Sequence, residues 1–88
     1  VMKAKKKPVL VDVWQLPFMD KQDFIDGLPE EVKNRVTYNG PLSYIIDSLE
    51  GPMNAEVYDY LVYGMNNDVW VVKKDIFEKT YEIVEVEE

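Results

Sequence analysis

From residue 42 to residue 86 the chain is written in short period-two runs: LSYIIDSL from Leu42, YDYLVYG from Tyr58, VWVVK from Val69 and TYEIVEV from Thr80. Runs of this length, rich in β-branched and aromatic side chains and bounded by turn residues, are strand signals. Half of the chain is thereby committed to a sheet. Glu50-Gly51 separates the first two runs, and Gly64-Met65-Asn66-Asn67-Asp68 separates the next two. Both read as hairpin turns, because Gly51 tolerates positive φ and Asn66-Asn67 tolerate left-handed backbone. In the last run Tyr81 and Ile83 share one face while Val84 and Val86 share the other. A switch of apolar face of this kind predicts a bulge, or the end of regular pairing, between Ile83 and Val84.

The N-terminal half is organised differently. A charged lead-in, KAKKK, precedes Pro8 and the run VLVDVWQL. Val9, Val11 and Val13 fall on one face and Leu10, Trp14 and Leu16 on the other, so a strand buried on both sides is expected, ended by Pro17. Asp20 is the expected helix N-cap, Phe24, Ile25 and Leu28 recur at helical spacing, and Gly27 stops the helix. Pro29 followed by Glu30 and Glu31 reads as a second helix start, with Val32 and Val36 facing inward. Residues 20–36 are therefore a short, broken helical segment, and Asn39-Gly40-Pro41 is the turn that leaves it.

The chain must hold this together without staples. Of its 88 residues none is Cys and none is His, which excludes disulfides, thiolate metal sites and cysteine nucleophiles and removes the commonest general base. A single domain of this length buries roughly 60–65% of its unfolded surface, so the core is thin and self-association is a natural supplement. Hydrophobic residues at 47% nevertheless argue for a folded chain. Residues 1–7 and 85–88 read as a flexible basic lead-in and a flexible acidic tail around that domain. Met2 reads as the natural initiator, preceded by the extra Val1. No apolar run approaches the roughly 20 residues that span a bilayer, and the start lacks a secretory h-region, so a cytoplasmic protein is expected.

Net charge is −7, and Arg35 is the one arginine among ten basic residues. An acidic surface repels the duplex backbone, so no double-stranded nucleic acid is expected as partner. Carboxylates are the only abundant catalytic side chains. Asp20, Asp23 and Asp26 have a spacing that could hold a cation on one helix side, but no calcium-loop glycine and glutamate follow them. A solvent-facing acidic stripe is the simpler reading. The hydroxyls of Thr37, Ser43, Ser48 and Thr80 sit near no nucleophile elbow, so neither an enzyme nor a cofactor is expected, a metal-dependent enzyme being the least favoured alternative.

Aromatics are the most distinctive candidates: Tyr44, Tyr58, Tyr60, Tyr63, Trp70 and Tyr81 all lie on or beside expected strands. Such rings can stack single-stranded bases, though only Lys73, Lys74 and Lys79 are at hand to form a basic groove. They can also anchor a protein contact. Packing within the core is the commonest use of strand aromatics. Among functional uses, a protein interface with Tyr58, Tyr60, Tyr63 and Trp70 as contact residues is preferred, with single-stranded nucleic acid as the alternative.

The C-terminal half carries a resemblance. Leu49-Glu50-Gly51 with Met53, then Asp59-Tyr60, Gly64 and finally DIFEKTYE from Asp75 resemble a family of small bacteriophage and prophage proteins of unassigned activity. In that family the segment looks like LEGxM, then GDYII or GDWII, a Gly-containing turn, and PDIFExTYE near the C-terminus. The opening KKKPVLVDVWQ is similar too. Tyr58 stands where the family often has Gly, and Lys74 where it often has Pro. The resemblance implies a phage or prophage accessory protein of the bacterial cytoplasm that binds a host or phage protein.

The expected fold is α+β: a twisted, mainly antiparallel sheet of about five strands curling toward a small barrel, with the helical segment packed on one face. In that fold DIFEKTY is a corner: Asp75 caps a turn, Ile76 and Phe77 plug the open end of the sheet, and Thr80-Tyr81 restart a strand. A homodimer is the simplest assembly.

Overall fold

The structure, a computed structural model, describes residues 1–4 and 10–84. The elements are β1 (Asp12–Gln15), α1 (Lys21–Asp26), α2 (Glu30–Lys33), β2 (Val36–Tyr38), β3 (Ser43–Ser48), β4 (Gly51–Glu56), β5 (Tyr60–Tyr63), β6 (Val69–Val72) and α3 (Lys74–Thr80). The class is α+β. Among the described residues six strands form two three-stranded antiparallel sheets, ordered β1-β5-β6 and β2-β3-β4.

The single five-stranded sheet curling toward a barrel is thus corrected to two separate sheets, and the residues between β4 and β5 show why. Tyr58 adopts φ 73°, its N–H donates to Leu16 O at 2.7 Å, and the Leu16 N–H donates to Asp59 O at 2.8 Å. The chain is turned out of the second sheet at this point, and β5 pairs with β1 instead of folding back on β4.

Two strands lay outside the expectation. β2 is only three residues long, and β4 contains Gly51, Pro52 and Asn54, which are poor strand formers. β4 forms because β3 templates it over six paired positions, and it lies at the edge of its sheet, where a proline without an N–H is tolerated. The expected turn at residues 64–68 joins β5 and β6, with Asn66 at φ 63° and Asn67 at φ 57°. The turn expected at Glu50-Gly51 to lead to the Tyr58 run instead joins β3 to β4 through Leu49 and Glu50, with Gly51 already in β4.

The expected corner DIFEKT is a helix, and the strand expected from Thr80 does not form among the described residues. DIFEKT lies in α3, where Lys74 pairs with Glu78 at 2.8 Å and the Thr80 hydroxyl donates to Ile76 O at 2.7 Å. These are i, i+4 contacts, the period of a helix. Tyr81 is extended and residues 81–84 form no strand, so no bulge lies at the face switch of Ile83 and Val84, and regular pairing is already absent there. Val86 and the acidic tail lie outside the described residues, as do residues 5–9, which hold the end of the basic lead-in and Val9.

The broken helical segment is present, and α2 starts at Glu30 directly after Pro29, as expected. Asp20 holds the N-cap position of α1, but at φ 56° and without a side-chain cap hydrogen bond. Ile25, Leu28, Val32 and Val36 are buried as their spacing implies. β1 is not buried on both sides: it is the edge of its sheet, with Val13 and Trp14 half-buried and Leu10 and Asp12 exposed. An edge position leaves one flank of the strand uncovered by protein.

The main core lies between the helices and the two sheets. Tyr44, Ile46 and Ala55 enter from the second sheet, Leu61 and Val69 from the first, Ile25 and Val32 from the helices, and Leu28 from the link between them. Alternation puts Tyr60 and Val62 on the opposite face of the first sheet. Val62 is fully buried there, and α3 covers that face through Phe77, its one buried residue. Phe77 stacks on Tyr60 with centroids 3.9 Å apart and on Tyr81 at 4.6 Å. Phe77 alone is the plug, since Ile76 is exposed.

Candidate functional site

Proline ends β1, but the chain stays close to the sheet. Leu16 is completely buried, and the Pro17 carbonyl accepts a hydrogen bond from the Tyr44 hydroxyl at 2.6 Å. Burial pushes the Tyr44 hydroxyl up to about 12, so this donor keeps its proton at all ordinary pH. Past this anchor the loop projects Phe18 and Met19 into solvent, 44% and 70% exposed. Asp20, in its left-handed conformation, then turns the chain into α1. The Lys21 ammonium donates to Phe18 O at 2.6 Å and lies 5.2 Å from the Phe18 ring centroid, a cation–π distance that holds the ring side of the loop.

The facing wall is Tyr58, itself 49% exposed. Besides the bond from its N–H to Leu16, its carbonyl accepts from Gln15 Nε2 at 3.1 Å. A tyrosine in left-handed backbone costs about 1–2 kcal/mol relative to the ordinary region. Its surroundings over-determine that conformation and aim the ring outward. Between the two walls runs a shallow groove of about 390 Å³ lined by Gln15, Leu16, Pro17, Phe18, Met19 and Tyr58. Three apolar side chains therefore project from a backbone tied down at Leu16, Pro17 and Tyr58.

The other expected contact residues are placed differently. Tyr60 stacks on Phe77, so one of its ring faces is covered. Tyr63 packs against the main core and donates through its hydroxyl to Asn67 Oδ1 at 2.7 Å. Trp70 lies over Gly64, where a Cβ on the glycine would sit 2.6 Å from the far edge of the indole. Tyr60 and Trp70 share one face of the first sheet, Tyr63 points to the other, and Tyr58 stands in the turn between β4 and β5. The four do not form one surface.

The remaining candidates are engaged locally. The Ser43 hydroxyl donates to Asn39 O and the Ser48 hydroxyl to Gly51 O at 2.7 Å. Thr37 Oγ1 lies 3.5 Å from Ile45 O, at the limit of a hydrogen bond. Arg35 donates to the Asn67 carbonyl, which ties the turn between β5 and β6 to the second sheet. Asp20, Asp23 and Asp26 are exposed, and among the described residues no group of three or more acidic side chains is close enough to hold a cation.

Sequence reasoning passed over Phe18, Met19 and Asp59. The signal for the first two was present: large apolar residues between a strand-ending proline and an aspartate have no periodicity that would bury them. Asp59 is the one buried charged residue among those described, 5% exposed. Its carboxylate accepts from the Glu56 N–H at 3.0 Å, from the Lys74 N–H at 3.2 Å and from the Lys73 ammonium at 3.3 Å. It closes the turn that carries Tyr58 and caps α3 at the same time. No protein-family model, curated protein or solved structure matches this chain.

Proposed function

We propose that the chain is a noncatalytic binding protein of phage-accessory type, acting in the bacterial cytoplasm, whose contact surface is Phe18, Met19 and Tyr58. The observation that carries this reading is the exposure of three large apolar side chains on a backbone held by Leu16, Pro17 and the strained Tyr58. Residues kept in costly conformations by their surroundings concentrate at functional positions, and rigid aromatic anchors lose little entropy on binding. A protein partner suits such anchors better than nucleic acid does, because the net charge is −7 and Arg35 is used within the fold. Lack of Cys and His supports a noncatalytic role. The phage context rests on the DIFEKTYE resemblance, and the left-handed backbone at Tyr58, where that family often has Gly, is in keeping with it. No helix among the described residues is long and apolar enough to cross a membrane.

Self-association is the first occupancy to test, because a thin core gains most from it. Sedimentation equilibrium of the wild type should show a dimer, and Phe18→Asp/Tyr58→Asp should be monomeric with an unchanged melting temperature. A wild type that stays monomeric at high concentration removes the homodimer. The next step is capture from host lysate with the double variant as control, and equal capture by both proteins refutes the surface.

A further inference from the structure

Two dipeptides here have the composition that lets a backbone nitrogen attack the preceding side chain and close a five-membered succinimide: Asp26-Gly27 and Asn39-Gly40. Glycine favours the attack because no side chain hinders its nitrogen. The fold separates the two. At the end of α1 the Gly27 N–H donates to Asp23 O and Phe24 O, each at 3.2 Å, and Asp26 Oδ1 accepts from Gln22 at 2.9 Å. Nucleophile and electrophile are both engaged there.

Asn39-Gly40 lies in the exposed turn between β2 and β3, with Gly40 at φ 83° and nothing within 4 Å of the position a Cβ would take. The main chain of Asn39 is anchored: its N–H donates to Ser43 O at 2.8 Å, and its carbonyl accepts from the Ser43 hydroxyl. Among the described residues no hydrogen bond engages the Asn39 carboxamide or the Gly40 N–H. The reacting atoms are thus open to water while the residue that carries them is held. The other asparagines lack a following glycine, so Asn66, though exposed, faces the hindered nitrogen of Asn67, and the remaining three are engaged or held in regular structure. Arg35, which follows Asn34, donates its N–H to Val32 O at 2.9 Å, Asn54 lies within β4, and the Asn67 carboxamide accepts from Tyr63 at 2.7 Å.

We propose that Asn39-Gly40 is a self-modification site, at which Asn39 converts to aspartate and isoaspartate with no enzyme or cofactor. The Gly40 amide nitrogen gives its proton to hydroxide and attacks Asn39 Cγ. A Cγ–N bond forms, the Cγ–Nδ2 bond breaks, and Nδ2 leaves as ammonia after taking a proton from water. A second water opens the succinimide at either carbonyl, and no oxidation state changes. Each event adds one negative charge to a chain already at −7. The isoaspartate product also inserts a methylene into the main chain beside the Tyr38–Tyr44 register pair, where the Asn39 to Ser43 hydrogen bonds close the hairpin.

The test is to incubate the full chain at physiological temperature, at neutral and mildly alkaline pH, and to map the products by mass spectrometry and by isoaspartate methyltransferase labelling. The expected result is a gain of one dalton confined to the peptide that contains Asn39, faster at the higher pH, and absent in Asn39→Gln, which cannot close the five-membered ring as readily. Circular dichroism confirms that both proteins are folded. An unmodified Asn39 over an interval in which a synthetic peptide of residues 35–43 converts fully overturns the proposal. So does equal conversion at Asn66 or Asn67.

Discussion

Replacing Asp59 tests the whole arrangement around the β4–β5 turn. The side chain is 8% exposed and meets three donors, while its ion-pair partner Lys73 is 51% exposed. The Lys73 pair is therefore screened by solvent and contributes about 0–1 kcal/mol. The two main-chain bonds are different. Each is a hydrogen bond to a buried charged group, of the kind that contributes about 1.5–3 kcal/mol, and deleting the acceptor strands the Glu56 and Lys74 N–H groups. Asp59→Ala should thus cost about 3–5 kcal/mol, and Asp59→Asn, which keeps one acceptor oxygen, about 2 kcal/mol. For a domain of this size about 4–8 °C of melting temperature corresponds to each kcal/mol, so the alanine variant should melt at least ~12 °C lower. Thermal melts by circular dichroism and urea titration at neutral pH read both variants. Lys73→Met, run beside them, should lose less than ~1 kcal/mol. An Asp59→Ala loss below about 1 kcal/mol would mean that water satisfies both amides as well as the carboxylate does, and the capping argument would be wrong.

Further outcomes follow from packing and ionisation. Phe77→Ala removes the one buried side chain of α3 and should cost about 3–5 kcal/mol by urea titration; a much smaller loss would show that α3 does not seal the first sheet. Gly64→Ala places a methyl 2.6 Å from the Trp70 indole and should cost about 1–3 kcal/mol, a penalty that Trp70→Leu in the same chain should relieve. If Gly64→Ala is neutral by itself, the indole is free to move aside. The Tyr44 hydroxyl, held at about 12 in the fold against an ordinary 10.0, favours its neutral form when folded. Its contribution is fully present below the unfolded value and is lost as pH rises through the folded one. Unfolding midpoints of the wild type should therefore fall between those two values more steeply than those of Tyr44→Phe, and parallel curves would refute the assignment.

Strand and helix content at several places followed from local pattern. Val32 and Val36 faced inward as their spacing required, and Asn66 and Asn67 took the left-handed backbone that their chemistry tolerates. α3 was read as a corner because seven residues span barely two turns, too few for the i, i+4 contacts of Lys74 with Glu78 and Phe77 with Tyr81 to stand out as a helical period. β4 was missed because its Gly51, Pro52 and Asn54 argue against a strand until β3 supplies a template. Among the expected contact residues, Tyr58 projects from the groove wall. Tyr60, Tyr63 and Trp70 make contacts within the fold that ring chemistry alone could not assign.

What the amino-acid order determined unaided was chemistry and local geometry: an acidic chain without Cys or His, an α+β mixture, and turns where Gly and Asn permit them. These are properties of residue type and near-neighbour spacing. Tertiary structure decided which strands meet, because β1 and β5 pair from Gln15 with Tyr60 to Asp12 with Tyr63, through bonds that no local window contains. It decided that Asp59 is buried between a turn and a helix, and that Phe18, Met19 and Tyr58 stand together on one groove. It also distinguished Gly40 from Gly27, since the reactivity of a backbone nitrogen depends on whether a hydrogen bond already holds it.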